Sequence, residues 1–196
     1  CSSIKMLNYD KGGEDGYSIL SAFHKSLRGS DADAAIHYLA RLVKAGDLQS
    51  ITRRLLCVAS EDVGLAVPQA ITITEACVSA ALQLGFPEAR IPLAQATIYL
   101  AQCPKSNSAV SAIDMALYDL DNIETGDIPP HLKDAHYASA KKLGRGVEYK
   151  YPHSFENHYV EQQYLPDAIK DKKYYIHGKN KNETAFENYL KVIKNK

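Results

Sequence analysis

The sequence predicts an all-α protein, an irregular bundle of several helices. Apolar residues recur three and four residues apart through most of the first 144 residues, which is the period of a helix with one buried face. Ser, Asp or Asn precedes several of these stretches, and Gly or Pro closes them, as expected at helix ends. The 196 residues are enough for one large domain or two small ones.

The first two predicted helices are joined by a very short connection. Ser30–Asp33 resembles a capping box, and Gly46 stands where a C′ glycine belongs. Asp47 is predicted to cap the second helix, so that the two helices are antiparallel neighbours. The second helix carries its apolar residues on one face: Leu48, Ile51, Leu55 and Val58.

Three further helices are predicted before residue 126. The third begins at Pro68 and stops at Gly85, and because it is apolar nearly all round we expect it to be central and buried. The fourth, in the stretch FPEARIPLAQATIYLAQCP, is bracketed by Pro92 and Pro104. The fifth is capped by Ser106 or Asn107 and ends at Gly126. Its apolar stripe comprises Ile113, Leu117 and Leu120.

The helical pattern is weaker from residue 128 to the end of the chain. A short sixth helix is predicted within residues 128–144, after two prolines. The tyrosine-rich segment 145–167 is predicted to be mostly irregular, and residues 172–178 favour a short strand. A final helix is predicted near the end of the chain, with Asn182 as its cap.

Composition limits the function classes. The 23 basic and 23 acidic residues give a formal net charge of zero, whereas a dedicated nucleic-acid binder is more often basic overall. No C-x-x-C pair occurs, so Cys57, Cys77 and Cys103 are expected to be buried free thiols. The chain does not begin with Met, and residues 1–16 read as a linker, so we interpret the sequence as a piece of a longer protein.

Familiar catalytic motifs are missing. The sequence holds no G-x-x-x-x-G-K-[ST] phosphate loop, no G-x-S-x-G and no H-E-x-x-H. The stretch LLCVASED, residues 55–62, resembles a strand ending in acids but continues a helical stripe. The pairs His131/His136 and His153/His158 are five residues apart, which is not the spacing of metal ligands on one helix face.

A polar group surrounds Gly29: His24, Lys25, Arg28, Asp31 and Asp33. Ion-paired structure at a helix entrance is the favoured interpretation, ahead of an interface and of acid–base catalysis. Arg53 and Arg54 form a second basic pair. A solvated helix face is the favoured interpretation, and the alternative is a phosphate-facing patch that also includes Lys25, Arg28, Arg41 and Lys44.

Several long blocks resemble the C-terminal region of the family of replication-associated recombination protein A, also called the MgsA family, whose eukaryotic relative is the Werner helicase interacting protein. They are YDKGGEDGYSILSAFHKSLRGSDADAAIHYLARLVKAGD, ITRRLLCVASEDVGLAVPQA, GFPEARIPLAQATIYLAQCPKSNSA, IPPHLKDAH and YKYPHSFENHYVEQQYLPD. They keep the family's order across roughly residues 9–167. The segment YYIHGKNKNETAF departs from the family pattern.

This resemblance implies a clamp-loader-like AAA+ ATPase that acts at stalled or damaged replication forks, in the cytoplasm and associated with the nucleoid. ATP and Mg are expected in an N-terminal part, and no cofactor in this region. The family's C-terminal region is helical, similar to clamp-loader oligomerisation domains, and joins subunits into a homotetramer. Full-length members bind DNA and associate with single-stranded DNA-binding protein; no membrane role is implied.

We therefore expect three regions: a linker at residues 1–16, a helical oligomerisation domain at 17–167, and an extension at 168–196 that packs on it. No catalytic residue and no metal ligand is assigned. A direct module for binding single-stranded or fork DNA is the alternative. The candidate interface or DNA-facing residues are His24, Lys25, Arg28, Asp31, Arg53, Arg54, Lys105, Tyr151 and His153.

Overall fold

The described part of the computed structural model, residues 13–134, 139, 141–144 and 146–195, contains seven α-helices and no β-strand. This confirms the all-α prediction, and the strand predicted at residues 172–178 does not form. The helices are α1 Glu14–Arg28, α2 Ala32–Lys44, α3 Leu48–Val58, α4 Ala70–Leu84, α5 Arg90–Gln102, α6 Ser108–Asn122 and α7 Lys181–Ile193.

Short helical turns fill much of the remainder. A π-helical turn, Ala59–Val63, follows α3 directly and leads into a 3₁₀ turn at Gly64–Ala66. The predicted sixth helix is represented by two 3₁₀ turns, Pro130–Leu132 and Lys141–Leu143, and residues 135–138 and 140 between them lie outside the described residues. Among the described residues, no helix is both long and apolar enough to cross a membrane.

Helix α1 was not predicted from the sequence. It begins at Glu14, inside the segment expected to be a linker, whose first twelve residues lie outside the described part. Ile19, Phe23 and Leu27 recur every four residues and are buried, which gives α1 a core-facing side. This four-residue period was missed because the same stretch was interpreted through its polar residues around Gly29.

The caps of α2 and α3 set the first turns of the bundle. Asp31, rather than Ser30, caps α2, because its Oδ1 accepts a hydrogen bond from the Ala34 amide at 2.9 Å. Asp47 caps α3 as predicted, accepting from the Ser50 amide at 3.4 Å. Gly46 has a φ of +70°, the left-handed conformation expected of a C′ glycine.

The described residues divide into two compact units. The first runs up to Val110 and includes Gly178–Glu183. In it, α1 packs against α2, α2 against α5, and α4 against α5. Its core consists of side chains with almost no exposed surface: Phe23, Leu27, Leu39, Leu42, Ile51, Leu55, Val58, Leu93 and Leu100.

Helix α4 does not occupy the central position predicted for it. It begins at Ala70 rather than Pro68, and only one face is buried, through Thr74, Cys77, Val78 and Ala81 among others. The apolar residues on the two flanks of that face stay at least one-third exposed: Ile71, Ile73, Leu82 and Leu84. The expectation failed because an all-apolar helix needs cover on every side, and the residues that the structure describes cover α4 on one side only.

The start of α7 is fixed within the first unit by a buried carboxylate. Glu183 is fully buried, and its carboxylate accepts hydrogen bonds from the hydroxyls of Ser106 and Ser108, at 2.6 and 2.5 Å, and from the Asn180 amide at 2.5 Å. Asn180, not Asn182, caps the helix by accepting from the Glu183 amide. A Cβ at Gly178 would collide with Glu183 Oε2, so any side chain there would displace the buried carboxylate.

The second unit comprises Ser111–His177 and the chain from Thr184 onward, and in it α6 buries a charge. The Asp119 side chain is 6% exposed and accepts from the Tyr174 hydroxyl at 2.8 Å, with Lys172 Nζ at 3.2 Å. These partners hold the pKa of the Asp119 carboxyl below its ordinary value, the Tyr174 hydrogen bond being the largest cause. The predicted apolar stripe of Ile113, Leu117 and Leu120 is instead 52–64% exposed.

Asp119→Asn is expected to lower the free energy of unfolding at pH 7. A carboxyl whose pKa is depressed in the folded state stabilises the fold above its unfolded pKa of about 3.9, and this contribution is lost as the pH falls through the folded pKa. The stability difference between wild type and variant should therefore narrow as the pH falls below about 5. Urea unfolding at a series of pH values measures this. The matched control is Asp121→Asn, at an exposed position of the same helix; an equal loss in both variants would contradict the assignment.

Candidate functional site

Parts of three of the five sequence blocks that resemble the recombination-protein family meet at one polar cleft in the first unit. They are His24–Asp31, Glu61–Gly64 and Lys105–Asn107. The cleft has a volume of about 490 Å³ and is lined by Arg28, Glu61, Asp62, Lys105, Ser106, Asn107 and Val110. Tyr151–His153, part of the last block, belongs to the second unit.

Local structure explains how these blocks come together. His24 and Arg28 are four residues apart in the last turns of α1, and so lie on the same side of the helix. The π-helical turn after α3 carries Glu61 and Asp62. The connection from α5 to α6 is fastened to that turn, because the Ser106 amide donates to the Asp62 carbonyl at 2.8 Å.

Asp62 is the centre of the cluster. Its side chain is 6% exposed, and its carboxylate accepts from Arg28 Nε at 2.5 Å and lies 2.7 Å from His24 Nε2. A buried carboxylate must be paired to remain charged, and both of its oxygens have a donor here. The hydrogen bond to Asp62 raises the pKa of the Arg28 guanidinium above its ordinary value.

His24 lies between two guanidinium groups and the buried acid. Arg54 Nη1 lies 3.3 Å from His24 Nδ1, and Arg28 Nη2 lies 3.0 Å from His24 Nε2. The same Nε2 lies 2.7 Å from the Asp62 carboxylate, and Arg28 Nη2 also donates to Glu61 Oε1 at 3.4 Å. His24 is thus a link between two arginines and a buried acid.

His24, Glu61 and Asp62 are also close enough to hold a metal ion, since their ligand atoms lie within 4.8 Å of one another. The two arginines argue against this use, because an ion between the carboxylates would have to displace Arg28 from Asp62. The geometry is that of an ion-paired joint, as the favoured interpretation of this polar group expected, but the acid at its centre is Asp62 rather than Asp31 or Asp33.

The ammonium group of Lys105 is hydrogen bonded within the fold. Its Nζ donates to Ser30 Oγ at 3.0 Å and to the carbonyls of Ala101 and Cys103, at 3.1 and 2.6 Å. These bonds use all three hydrogens of the ammonium group, and burial lowers the pKa of Lys105. Lys105 thus holds the end of α5 to the α1–α2 connection.

The remaining candidate residues are dispersed. Lys25 and Arg53 are exposed, while Arg54, beside Arg53 in sequence, is half buried against His24. Asp31 is exposed and engaged as the cap of α2. In the second unit, Tyr151 and His153 are exposed, with ring centroids 5.2 Å apart.

The cysteines follow the prediction in part. Cys77 and Cys103 are buried, and desolvation raises the pKa of both thiols. Cys57 is exposed, contrary to expectation, with its thiol 3.3 Å from Glu61 Oε2. It lies on the solvent side of α3, between the buried residues Leu55 and Val58.

Sequence reasoning did not select Glu61 and Asp62 as site residues. They lie 37 and 38 residues after His24, and their stretch was considered as a false nucleotide motif and as part of a block that matches the family, but neither residue was named as a site residue. The available signal was the close match of EDVG to the family block, together with a His and an Arg four residues apart that require an acidic partner.

Comparison with known proteins identifies the family of the chain. The family model of the MgsA AAA+ ATPase C terminal matches residues 29–194. The chain is 56% identical over all 196 residues to Replication-associated recombination protein A of Bacillus subtilis, of which it spans 46%. It is 40% identical over 170 residues, 86% of its length, to the protein of that name in Escherichia coli K12, spanning 38% of it.

A eukaryotic relative also matches. Over 171 residues, 86% of the chain, the identity to ATPase WRNIP1 of Dictyostelium discoideum is 38%, covering 20% of that protein. The chain belongs to the family of MgsA AAA+ ATPase C-terminal domains, which confirms the resemblance drawn from the sequence blocks. It spans less than half of the length of these curated relatives.

Asp62→Asn is expected to lower the free energy of unfolding by about 1–3 kcal/mol, because an amide leaves a buried donor facing Arg28 or His24. Glu61→Gln, one residue away on a side chain one-third exposed, should cost less than about 1 kcal/mol. Urea unfolding of both variants at pH 7 makes the comparison. Equal costs, or no cost for Asp62→Asn, would show that Asp62 does not anchor the joint.

Proposed function

We propose that this chain is the oligomerisation domain of a clamp-loader-like AAA+ ATPase that acts in replication-associated recombination, and that it assembles as a homotetramer. The family membership and the names of the relatives support the parent protein. One structural observation carries the assembly role: the apolar stripe of α6 faces solvent.

Helix α6 buries a charged residue and exposes its apolar face, whereas a helix of a monomeric protein usually buries the apolar face. Its buried side holds Asp119, while Ile113, Leu117 and Leu120, spaced four and three residues apart, form an exposed apolar face. Contiguous apolar surface on one helix face is typical of an interaction site. The stripe is therefore the surface that we assign to subunit contact.

Apolar surface in the first unit supports the same role. The flanks of α4 are exposed, and a groove of about 490 Å³ lies between α2 and α5. It is lined largely by apolar side chains: Ile36, Leu39, Ala40, Val43, Lys44, Arg90, Ile91 and Ala94. Exposed apolar surface on several helices of one chain is typical of subunits that form stable assemblies.

Further copies of the same chain are the partner that we favour. The formal net charge of zero means that copies do not repel one another at long range. Closed homo-oligomers are also the commonest soluble assemblies. Joining four ATPase modules raises their effective concentration on DNA, and this supplies avidity of roughly 10²–10⁴ without a basic domain.

Leu117→Glu is expected to break the assembly without unfolding the chain, since the side chain is exposed in the single chain and a buried charge at a subunit contact is costly. Size-exclusion chromatography with light scattering should give about four times the chain mass of 21.6 kDa for wild type and a smaller species for the variant.

Ser111→Glu is the matched control, because Ser111 is exposed on the opposite side of α6 and should leave the mass unchanged. Circular dichroism checks that both variants keep their helices. A wild-type chain that is monomeric at tens of micromolar would count against the proposal, as would a Leu117→Glu variant of unchanged mass.

A second candidate function is direct contact with single-stranded DNA through the tyrosine-rich segment. Four aromatic residues of this segment are 42–57% exposed: Tyr149, Tyr151, Phe155 and Tyr164. Exposed aromatic rings beside basic residues such as Lys150 are the elements on which unpaired bases stack.

Tyr151→Ala is expected to weaken binding of an oligo-dT strand by about 1–3 kcal/mol, the value of one stacked base. Fluorescence anisotropy at 50 and 200 mM salt measures the affinity and its salt dependence. The control is Tyr17→Ala, a tyrosine of α1 that is 74% exposed. Absence of binding at low salt, or equal loss in both variants, would remove this second function.

A further inference from the structure

Two histidines of the tyrosine-rich segment lie side by side on the surface. His153 is the middle residue of the 3₁₀ turn Pro152–Ser154, and His158 is the last residue of the next turn, Glu156–His158. Their Nδ1 atoms are 3.1 Å apart, and both side chains are exposed. Their spacing of five residues is not that of metal ligands on one helix, but here the backbone between them is not a helix.

The backbone and a neighbouring ring hold the pair in place. Asn157 and His158 have φ values of +57° and +53°, so two consecutive residues adopt the left-handed conformation that turns the His158 ring back toward His153. The Tyr151 ring packs against the His153 ring, with centroids 5.2 Å apart. The two imidazoles therefore face each other without a large rearrangement.

The distances fit coordination of one ion by both rings. With Zn–N bonds of about 2.05 Å, two nitrogens 3.1 Å apart subtend an N–Zn–N angle of about 98°, within the range of distorted tetrahedral sites. Rings aimed at such an ion would have centroids about 4.8–4.9 Å apart, and the observed separation is 5.0 Å. A straight hydrogen bond between the same nitrogens would place the centroids about 5.4 Å apart.

We propose that His153 and His158 form a binding site for a divalent transition-metal ion of the zinc class. Imidazole nitrogen suits zinc, nickel and copper and does not suit magnesium or calcium. Two protein ligands leave positions for water or for a donor atom of another molecule. On binding, the hydrogen that one Nδ1 carries in the free pair moves to Nε2 of the same ring by exchange with solvent, so that both Nδ1 lone pairs face the ion.

The site is independent of the proposed assembly role and differs from the His24 cluster. No arginine or lysine hydrogen bond or ion pair to either histidine is found among the described residues, whereas Arg28 and Arg54 both contact the His24 cluster. At the His24 cluster the positive charges of Arg28 and Arg54 would repel a metal ion, and no such charge contacts His153 or His158 among the described residues.

The test is a Zn²⁺ titration of the whole chain by calorimetry at pH 7.5, paired with NMR of the histidine ring resonances. We expect one Zn²⁺ per chain, shifts of the His153 and His158 ring signals together, and no response to Mg²⁺. His158→Ala and His153→Ala should each weaken binding by at least about ten-fold. His37→Ala, an exposed histidine of α2, is the matched control and should bind as wild type does.

Three outcomes would overturn the proposal. The first is no Zn²⁺ binding by wild type. The second is binding that survives both His153→Ala and His158→Ala, which would show that the pair is only hydrogen bonded. The third is loss of the site in Glu61→Gln but not in the two histidine variants, which would place the ion at the His24 cluster. Because both histidines are exposed, their variants are expected to keep the fold, and circular dichroism verifies this.

Discussion

The burial of Asp119 decides which way α6 faces. A carboxylate removed from water must be paired, and Tyr174 and Lys172 supply that pairing in the second unit. Once Asp119 is turned inward, helical geometry places Ile113, Leu117 and Leu120 on an outer face. The exposed apolar surface is thus a consequence of one buried charge, and the assembly that we propose would remove that surface from water.

Asp62 has the corresponding role in the first unit. Donors from α1 reach its carboxylate, and the Ser106 amide reaches its carbonyl, so one residue holds three segments that are far apart in sequence. A joint of this kind fixes orientation more than it adds stability, because the pairing mostly offsets the cost of desolvation. The proposed role, which is to space ATPase modules, would require such a fixed orientation between segments.

Local pattern predicted most helices, and the cap at Asp47 was confirmed. It did not predict which side of α6 faces the core, because periodicity defines a stripe and not its partner. The ion-paired nature of the group around His24 was expected, but Asp62, 38 residues away, was not, since only the fold brings them together. The pair His153 and His158 was excluded as a metal site because a spacing of five residues does not place two ligands on one helix face. That criterion does not apply here, since Asn157 and His158 adopt the left-handed conformation and the backbone is not a helix.

The central claim, that the outer face of α6 is buried between subunits, is tested most directly by hydrogen exchange. Amide exchange is followed by mass spectrometry on the whole chain, at protein concentrations above and below the dissociation constant of the proposed oligomer. The account predicts that residues 111–123 exchange more slowly in the concentrated sample, while the outward side of α1 around Tyr17 exchanges equally in both. Equal exchange of residues 111–123 at all concentrations, in a chain shown to associate, would contradict the account.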